Sequence, residues 1–134
     1  MSKLEKIEGV GESFARKLNK AGVTTTESLL EKGASPQGRR EIAEKSGIGE
    51  KTILKWVNQV DLARIKGISE EYGELLEFSG VDSVPELAHR NPESLMDSLT
   101  RANDSKKLVR KLPSLSQISQ WVHQAKTLPK IVTH

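Results

Sequence analysis

Ile7-Glu8-Gly9-Val10-Gly11-Glu12 returns as Lys45-Ser46-Gly47-Ile48-Gly49-Glu50 and, altered, as Ile65-Lys66-Gly67-Ile68-Ser69-Glu70. In each copy one apolar residue stands between two small ones, and a helix-like stretch follows. Glycine reaches positive φ at little steric cost, so the pair lets the chain bend sharply between two helices. The first amides of the second helix then have no intrahelical partner, and the positive end of the helix dipole lies there. Such an end suits a phosphate. The apolar residue in the middle (Val10, Ile48, Ile68) is expected to plug the bend into the core.

Working outward, the whole chain is a repeat. A shift of 58 residues lays Leu62 on Leu4, Ile65 on Ile7, Gly67 on Gly9, Tyr72 on Phe14, Leu76 on Leu18, Gly80 on Gly22 and Leu87 on Leu29. Further on, a shift of 65 lays Ile118, Trp121, Val122 and Gln124 on Ile53, Trp56, Val57 and Gln59. The difference, 65 − 58 = 7 residues, places an insertion in the second unit near 100–111. The expected organisation is therefore a first unit at 2–61, a second at 62–128 and a tail at 129–134.

Inside each unit the signals are helical. Phe14 and Leu18, like Tyr72 and Leu76, lie four apart on one face. Gly22 and Gly80 stand where helices end. Thr24 to Thr26, Ser35-Pro36 and Asn91-Pro92 are helix starts. The last helix of each unit carries its tryptophan, Trp56 or Trp121, on the inner face. Residues 102–106 and 127–134 read as loop or frayed tail. No alternating strand pattern is present. The expectation is an all-α protein of about ten short helices packed as one globule.

Composition narrows the function classes. The chain has 134 residues and no cysteine, which excludes disulfides, thiolate metal sites and a cysteine nucleophile. This usage fits a reducing, cytoplasmic setting. No apolar run is long enough for a membrane span, and the first residues lack the apolar stretch of a secretory leader. The net charge of +3 hides segregation: residues 1–60 hold 11 basic and 8 acidic side chains (+3), 61–97 hold 3 and 9 (−6), and 98–134 hold 7 and 1 (+6). Fields of this kind bear on partners rather than on fold.

The order Gly9-Val10-Gly11, helix, Ala21-Gly22-Val23, Thr-rich cap, Leu29-Leu30, Ile42-Ala43, Gly47-Ile48-Gly49-Glu50-Lys51-Thr52, helix resembles the paired helix-hairpin-helix (SAM-like) module. The likeness is to the N-terminal domain of archaeal and eukaryotic recombinases and to the C-terminal domain of the RNA polymerase alpha subunit. Ser79 to Ala88 and Asn91 to Leu95 share the recombinase-like look. The whole chain also resembles a small family filed as a domain of unknown function, built from two such modules in tandem. The resemblance implies sequence-independent binding of duplex DNA backbone, though some such modules serve as protein contacts only.

Four hairpins are candidate DNA sites. In the second, Gly47, Gly49, Lys51 and Lys55 match the positions that the resemblance assigns to phosphate contact; Lys51 and Lys55 share one helical face. In the first, Gly9 and Gly11 are kept and Arg16, Lys17 and Lys20 follow, but Glu12 stands where a basic or small residue is usual. In the third, Ser69 replaces the second glycine and Glu70, Glu71, Glu74 and Glu77 follow, so phosphate would be repelled. That acidic face suits a basic protein partner instead. The fourth, around Pro113, lacks glycine, yet Lys106, Lys107 and Arg110 precede it as a basic insertion able to lie on a nucleic-acid backbone. Each charged set also fits a solvated surface.

Trp56 and Trp121 read as core rather than as base-stacking platforms. His89, His123 and His134 are scattered, and no nucleotide loop, nucleophile elbow or paired aspartates occur, so no catalytic residue, metal, cofactor or small-molecule substrate is expected. The expected function is non-catalytic binding of DNA backbone through the Gly47–Gly49 and Gly9–Gly11 hairpins. The alternative is a protein-interaction adapter on the same helical fold.

Overall fold

The computed structural model describes residues 3–7 and 9–134. Ser2, where the first unit was expected to begin, and Glu8 of the first motif lie outside the described residues. Among the described residues there are eight α-helices, a 3₁₀ turn at Leu4–Lys6 and no strand. The helices are α1 (Glu12–Lys20), α2 (Thr26–Lys32), α3 (Pro36–Ser46), α4 (Glu50–Leu62), α5 (Glu70–Phe78), α6 (Val84–Ala88), α7 (Pro92–Lys106) and α8 (Leu115–Thr127). Eight helices stand where about ten were expected, and α7 runs unbroken through 102–106, where a loop was expected.

The chain divides into two compact units: Met1–Asp61 with Ile131–His134, and Leu62–Lys130. Each has its own apolar core. In the first, Leu4, Val10, Leu18, Leu29, Ile42, Ile48, Ile53 and Trp56 are buried together. In the second, Ile65, Ile68, Leu75, Leu76, Leu87, Leu95, Leu99, Ile118 and Trp121 are. The three plug residues of the turns, Val10, Ile48 and Ile68, all belong to these cores.

Local chemistry explains most helix boundaries. The side chains of Thr25, Ser35, Ser83 and Asn91 accept hydrogen bonds from first-turn amides of α2, α3, α6 and α7. Pro36 and Pro92 occupy the first helical turn, where a missing N–H costs nothing. Helices α1 and α5 end alike. Gly22 at φ +83° and Gly80 at φ +95° let the following valine amide reach back, Val23 to the Leu18 carbonyl (3.0 Å) and Val81 to the Leu76 carbonyl (2.8 Å).

Two segments depart from expectation. Asn103 lies on α7 and its amide brackets Val109: Nδ2 donates to the Val109 carbonyl (3.1 Å) and Oδ1 accepts from the Val109 amide (3.0 Å). That clamp, with Lys107 left-handed at φ +50°, turns the insertion back onto the second unit instead of leaving it loose. The end of the chain is also tied down. Val132 is buried in the first core, and the Thr133 amide donates to the Ala34 carbonyl (2.8 Å). Residues 131–134 are therefore part of the first unit, where a frayed tail was expected.

Candidate nucleic-acid interface

The Gly47 turn joins α3 to α4. Gly47 is left-handed at φ +77° and its amide closes α3 on the Ala43 carbonyl (2.9 Å). Ile48 is buried, and its amide donates to Ser46 Oγ (3.1 Å). Gly47 and Gly49 are exposed, and a β-carbon on either would meet no atom within 4 Å. Lys45, Lys51 and Lys55 are exposed as well. The first amides of α4 thus emerge beside an open glycine surface with cations before and after it.

The Gly9 turn leads into α1. Gly9 is left-handed at φ +89°, and its α-carbon lies against Trp56, whose Nε1 would be 3.7 Å from an added β-carbon. Gly11, exposed and open, caps α1 with no side-chain hydrogen bond. Trp56 is on α4, seven residues after Gly49, which is about 10 Å along a helix. One buried indole therefore links the Gly9 turn to the helix that starts at Gly49. Phe14 packs edge-on against the same indole, with ring centroids 5.3 Å apart.

The acidic residues after the two second glycines differ: Glu12 is ion-paired, whereas Glu50 acts on a neighbour through its charge. Glu12 forms an ion pair with Arg16, both well exposed. Arg16 is therefore partly neutralised at home, unlike Lys17, whose ammonium lies 5.5 Å from the Phe14 ring centroid, and Lys20. Glu50 acts on Arg39, a residue that sequence reading passed over. The Arg39 guanidinium is buried and donates to the carbonyls of Gly33 (2.8 Å), Ala34 (3.1 Å) and Thr133 (2.7 Å). Burial pushes its pKa down from the ordinary value, and the Glu50 charge opposes that shift. Arginine's ordinary value is so high that the group stays cationic.

The second unit treats the corresponding positions differently. Gly67 is left-handed at φ +96°, but Ser69 follows Ile68, and its hydroxyl accepts from the Tyr72 amide (3.3 Å) to cap α5. Glu70 and Glu71 fill the first turn of α5. Ser114 caps α8, accepting from the Gln117 amide (3.1 Å), while Gln117 Oε1 accepts from the Ser114 amide (2.8 Å). Lys107, Arg110 and Lys111 lie exposed on the turn-back after α7. Lys106 is spent partly on Phe78, with its ammonium 5.2 Å from the ring centroid. These basic residues belong to the second unit; Gly9, Gly11, Gly47, Gly49, Lys51 and Lys55 make up a surface of the first.

A family model described as "Domain of unknown function (DUF4332)" matches residues 8–128. The chain belongs to that family. The match begins in the first turn motif and ends just past α8, so the family domain comprises both units rather than one repeat. No curated protein and no solved structure matches the chain. Among the described residues no group of three or more His, Asp or Glu side chains is placed to hold a metal ion, and no helix is long and apolar enough to cross a membrane.

Proposed function

We propose that the first unit binds the phosphate backbone of DNA, without sequence preference and without catalysis, through the Gly47–Gly49 and Gly9–Gly11 turns. The observation that carries this reading is a contrast in capping. Among the described residues, six of the eight α-helices start on a Thr, Ser or Asn whose side chain satisfies a first-turn amide. The other two, α1 and α4, start at Gly11 and Gly49, which have no side chain to offer. Both are in the first unit and both glycines are open; exposed Lys51 adjoins the α4 start, while exposed Lys17 and Lys20 lie in the last turn of α1. First-turn amides with no N-cap side chain, on helices that carry exposed cations, suit a phosphate oxygen.

The tandem turn-and-helix pattern supports the same reading, since it resembles the paired helix-hairpin-helix modules of recombinases and of the RNA polymerase alpha subunit. On this reading the second unit is a degenerate copy whose α5 start is occupied by its own serine and carboxylates. Lys106, Lys107 and Arg110 then add long-range attraction only.

Titration of a labelled short duplex, at low and at physiological salt, tests the proposal. Binding should weaken steeply with salt, and Lys51→Glu with Lys55→Glu should abolish it. Binding indifferent to salt and to both reversals would remove the DNA reading. An adapter role would then stand on α5, which presents Glu70 and Glu71 in its first turn and carries Phe78, 49% exposed, at its far end.

A further inference from the structure

We infer that Phe14 is a stacking platform for an unpaired nucleobase, so that the preferred ligand of the first unit is DNA interrupted by a single-stranded gap. This rests on the reading of the adjoining turns as phosphate contacts.

The argument comes from the repeat. Phe14 and Tyr72 hold equivalent positions, and each ring packs on the tryptophan of its own unit, Phe14 on Trp56 at 5.3 Å and Tyr72 on Trp121 at 5.4 Å. In the second unit the chain covers this aromatic site itself. The Tyr72 hydroxyl donates to the Lys111 carbonyl (3.0 Å), and Leu108 and Leu112 of the inserted segment pack on the same core. The first unit has no counterpart to that segment, because Gly47 follows directly after α3. Phe14 accordingly remains 38% exposed and has no hydroxyl.

What covers Phe14 is indicated by its surroundings. The Lys17 ammonium stands over the ring, Lys20 is exposed one turn further along α1, and the Glu12 charge is paired with Arg16. An apolar ring in a net cationic setting complements a flat π-system that carries its own anion, which describes a nucleobase with its phosphate. Lys17 then moves from the ring to the phosphate. Packing against the buried Trp56 holds the Phe14 ring in place, so little side-chain freedom is lost on stacking.

The experiment compares a labelled duplex containing a short single-stranded gap with the same duplex sealed. The wild-type chain should bind the gapped form about 5- to 100-fold more tightly, the range expected of one stacked base. Phe14→Ala should erase that preference while sealed-duplex binding persists, and Phe14→Trp should retain it. Circular dichroism confirms that both variants are folded. Equal, salt-dependent binding of both DNAs by the wild type overturns the role of Phe14 and leaves the backbone reading intact. Failure to bind either DNA removes both. A self-association in sedimentation that Phe14→Ala abolishes would assign the ring to a second copy and also overturn the inference.

Discussion

Gly67 and Trp121 are packed so closely that a β-carbon on the glycine would stand 2.9 Å from the indole Nε1. The same relationship in the first unit, Gly9 with Trp56, leaves 3.7 Å. Both glycines are left-handed, at φ +96° and +89°. Each unit thus builds its turn on the indole of its last helix, and the second is the tighter. Alanine at either site meets backbone strain of about 1–2 kcal/mol. At Gly67 it also meets the ring, so Gly67→Ala should destabilise by about 2–4 kcal/mol, more than Gly9→Ala. Each unit holds one tryptophan, so urea unfolding followed by fluorescence in single-tryptophan backgrounds, Trp121→Phe for the first unit and Trp56→Phe for the second, reads each unit separately.

Capping and binding should trade against each other at α1 and α4. A serine at Gly11 or Gly49 has open space to enter, and its hydroxyl can take a first-turn amide. Gly11→Ser and Gly49→Ser are expected to raise stability by a few tenths of a kcal/mol and to weaken DNA binding. A stability scan paired with the salt titration checks this. Serines that leave affinity unchanged would show that these amides do not touch phosphate.

The salt dependence carries its own number. Each phosphate neutralised contributes about −0.9 to the slope of log K against log salt. Engagement of both turns, with Lys51 and Lys55 alongside, predicts a slope of about −2 to −4. Lys51→Glu should make it shallower by about one or more, whereas Glu71→Gln in the second unit should leave it unchanged. Fluorescence anisotropy over a salt series measures both.

Much of this architecture is readable from residue types, because glycine turns, Ser-Pro and Asn-Pro starts and helix-ending glycines act locally. Gly22, Gly80, Ser35 and Asn91 hold the backbone positions that their chemistry implies. What escaped the sequence is non-local. Asn103, Asp104 and Ser105 are weak helix formers, so a loop was expected at 102–106. The helix persists because Leu95, Leu99 and Ala102 give it a buried stripe and Asn103 clamps Val109 across the turn-back. The glycine starts of α1 and α4 were legible as candidate phosphate sites. The pairing of Glu12 with Arg16, and the field of Glu50 at Arg39, were not, since a buried arginine contradicts its own hydropathy.

Gly38 marks a contact invisible in the sequence. A β-carbon there would overlap the carbonyl oxygen of Lys32 at the end of α2. The obstacle is backbone, which cannot swing aside as a side-chain tip does, so α2 and α3 would have to separate. Gly38→Ala should cost about 3 kcal/mol or more, although alanine is ordinarily the better helix former. A stability gain on chemical denaturation would refute this close approach.

Arg39 and Val132 together fasten the end of the chain to the first unit, and they can be tested as a pair. Arg39 is 5% exposed and supplies donors to three carbonyls, one of them that of Thr133. Removing the guanidinium takes the side-chain donor from the Gly33 and Thr133 carbonyls, at about 1–3 kcal/mol for each one that water cannot reach, while the Ala34 carbonyl keeps the Thr133 amide. Val132 is 2% exposed, and losing its two methyl groups costs about 1–2 kcal/mol. Arg39→Met and Val132→Ala should therefore each destabilise the first unit as seen by Trp56 fluorescence in a Trp121→Phe background. Because Arg39 holds the segment that carries Val132, the two losses should add to less than their sum. Full additivity in that double-mutant cycle would mean that the arginine and the terminal segment stabilise the unit independently.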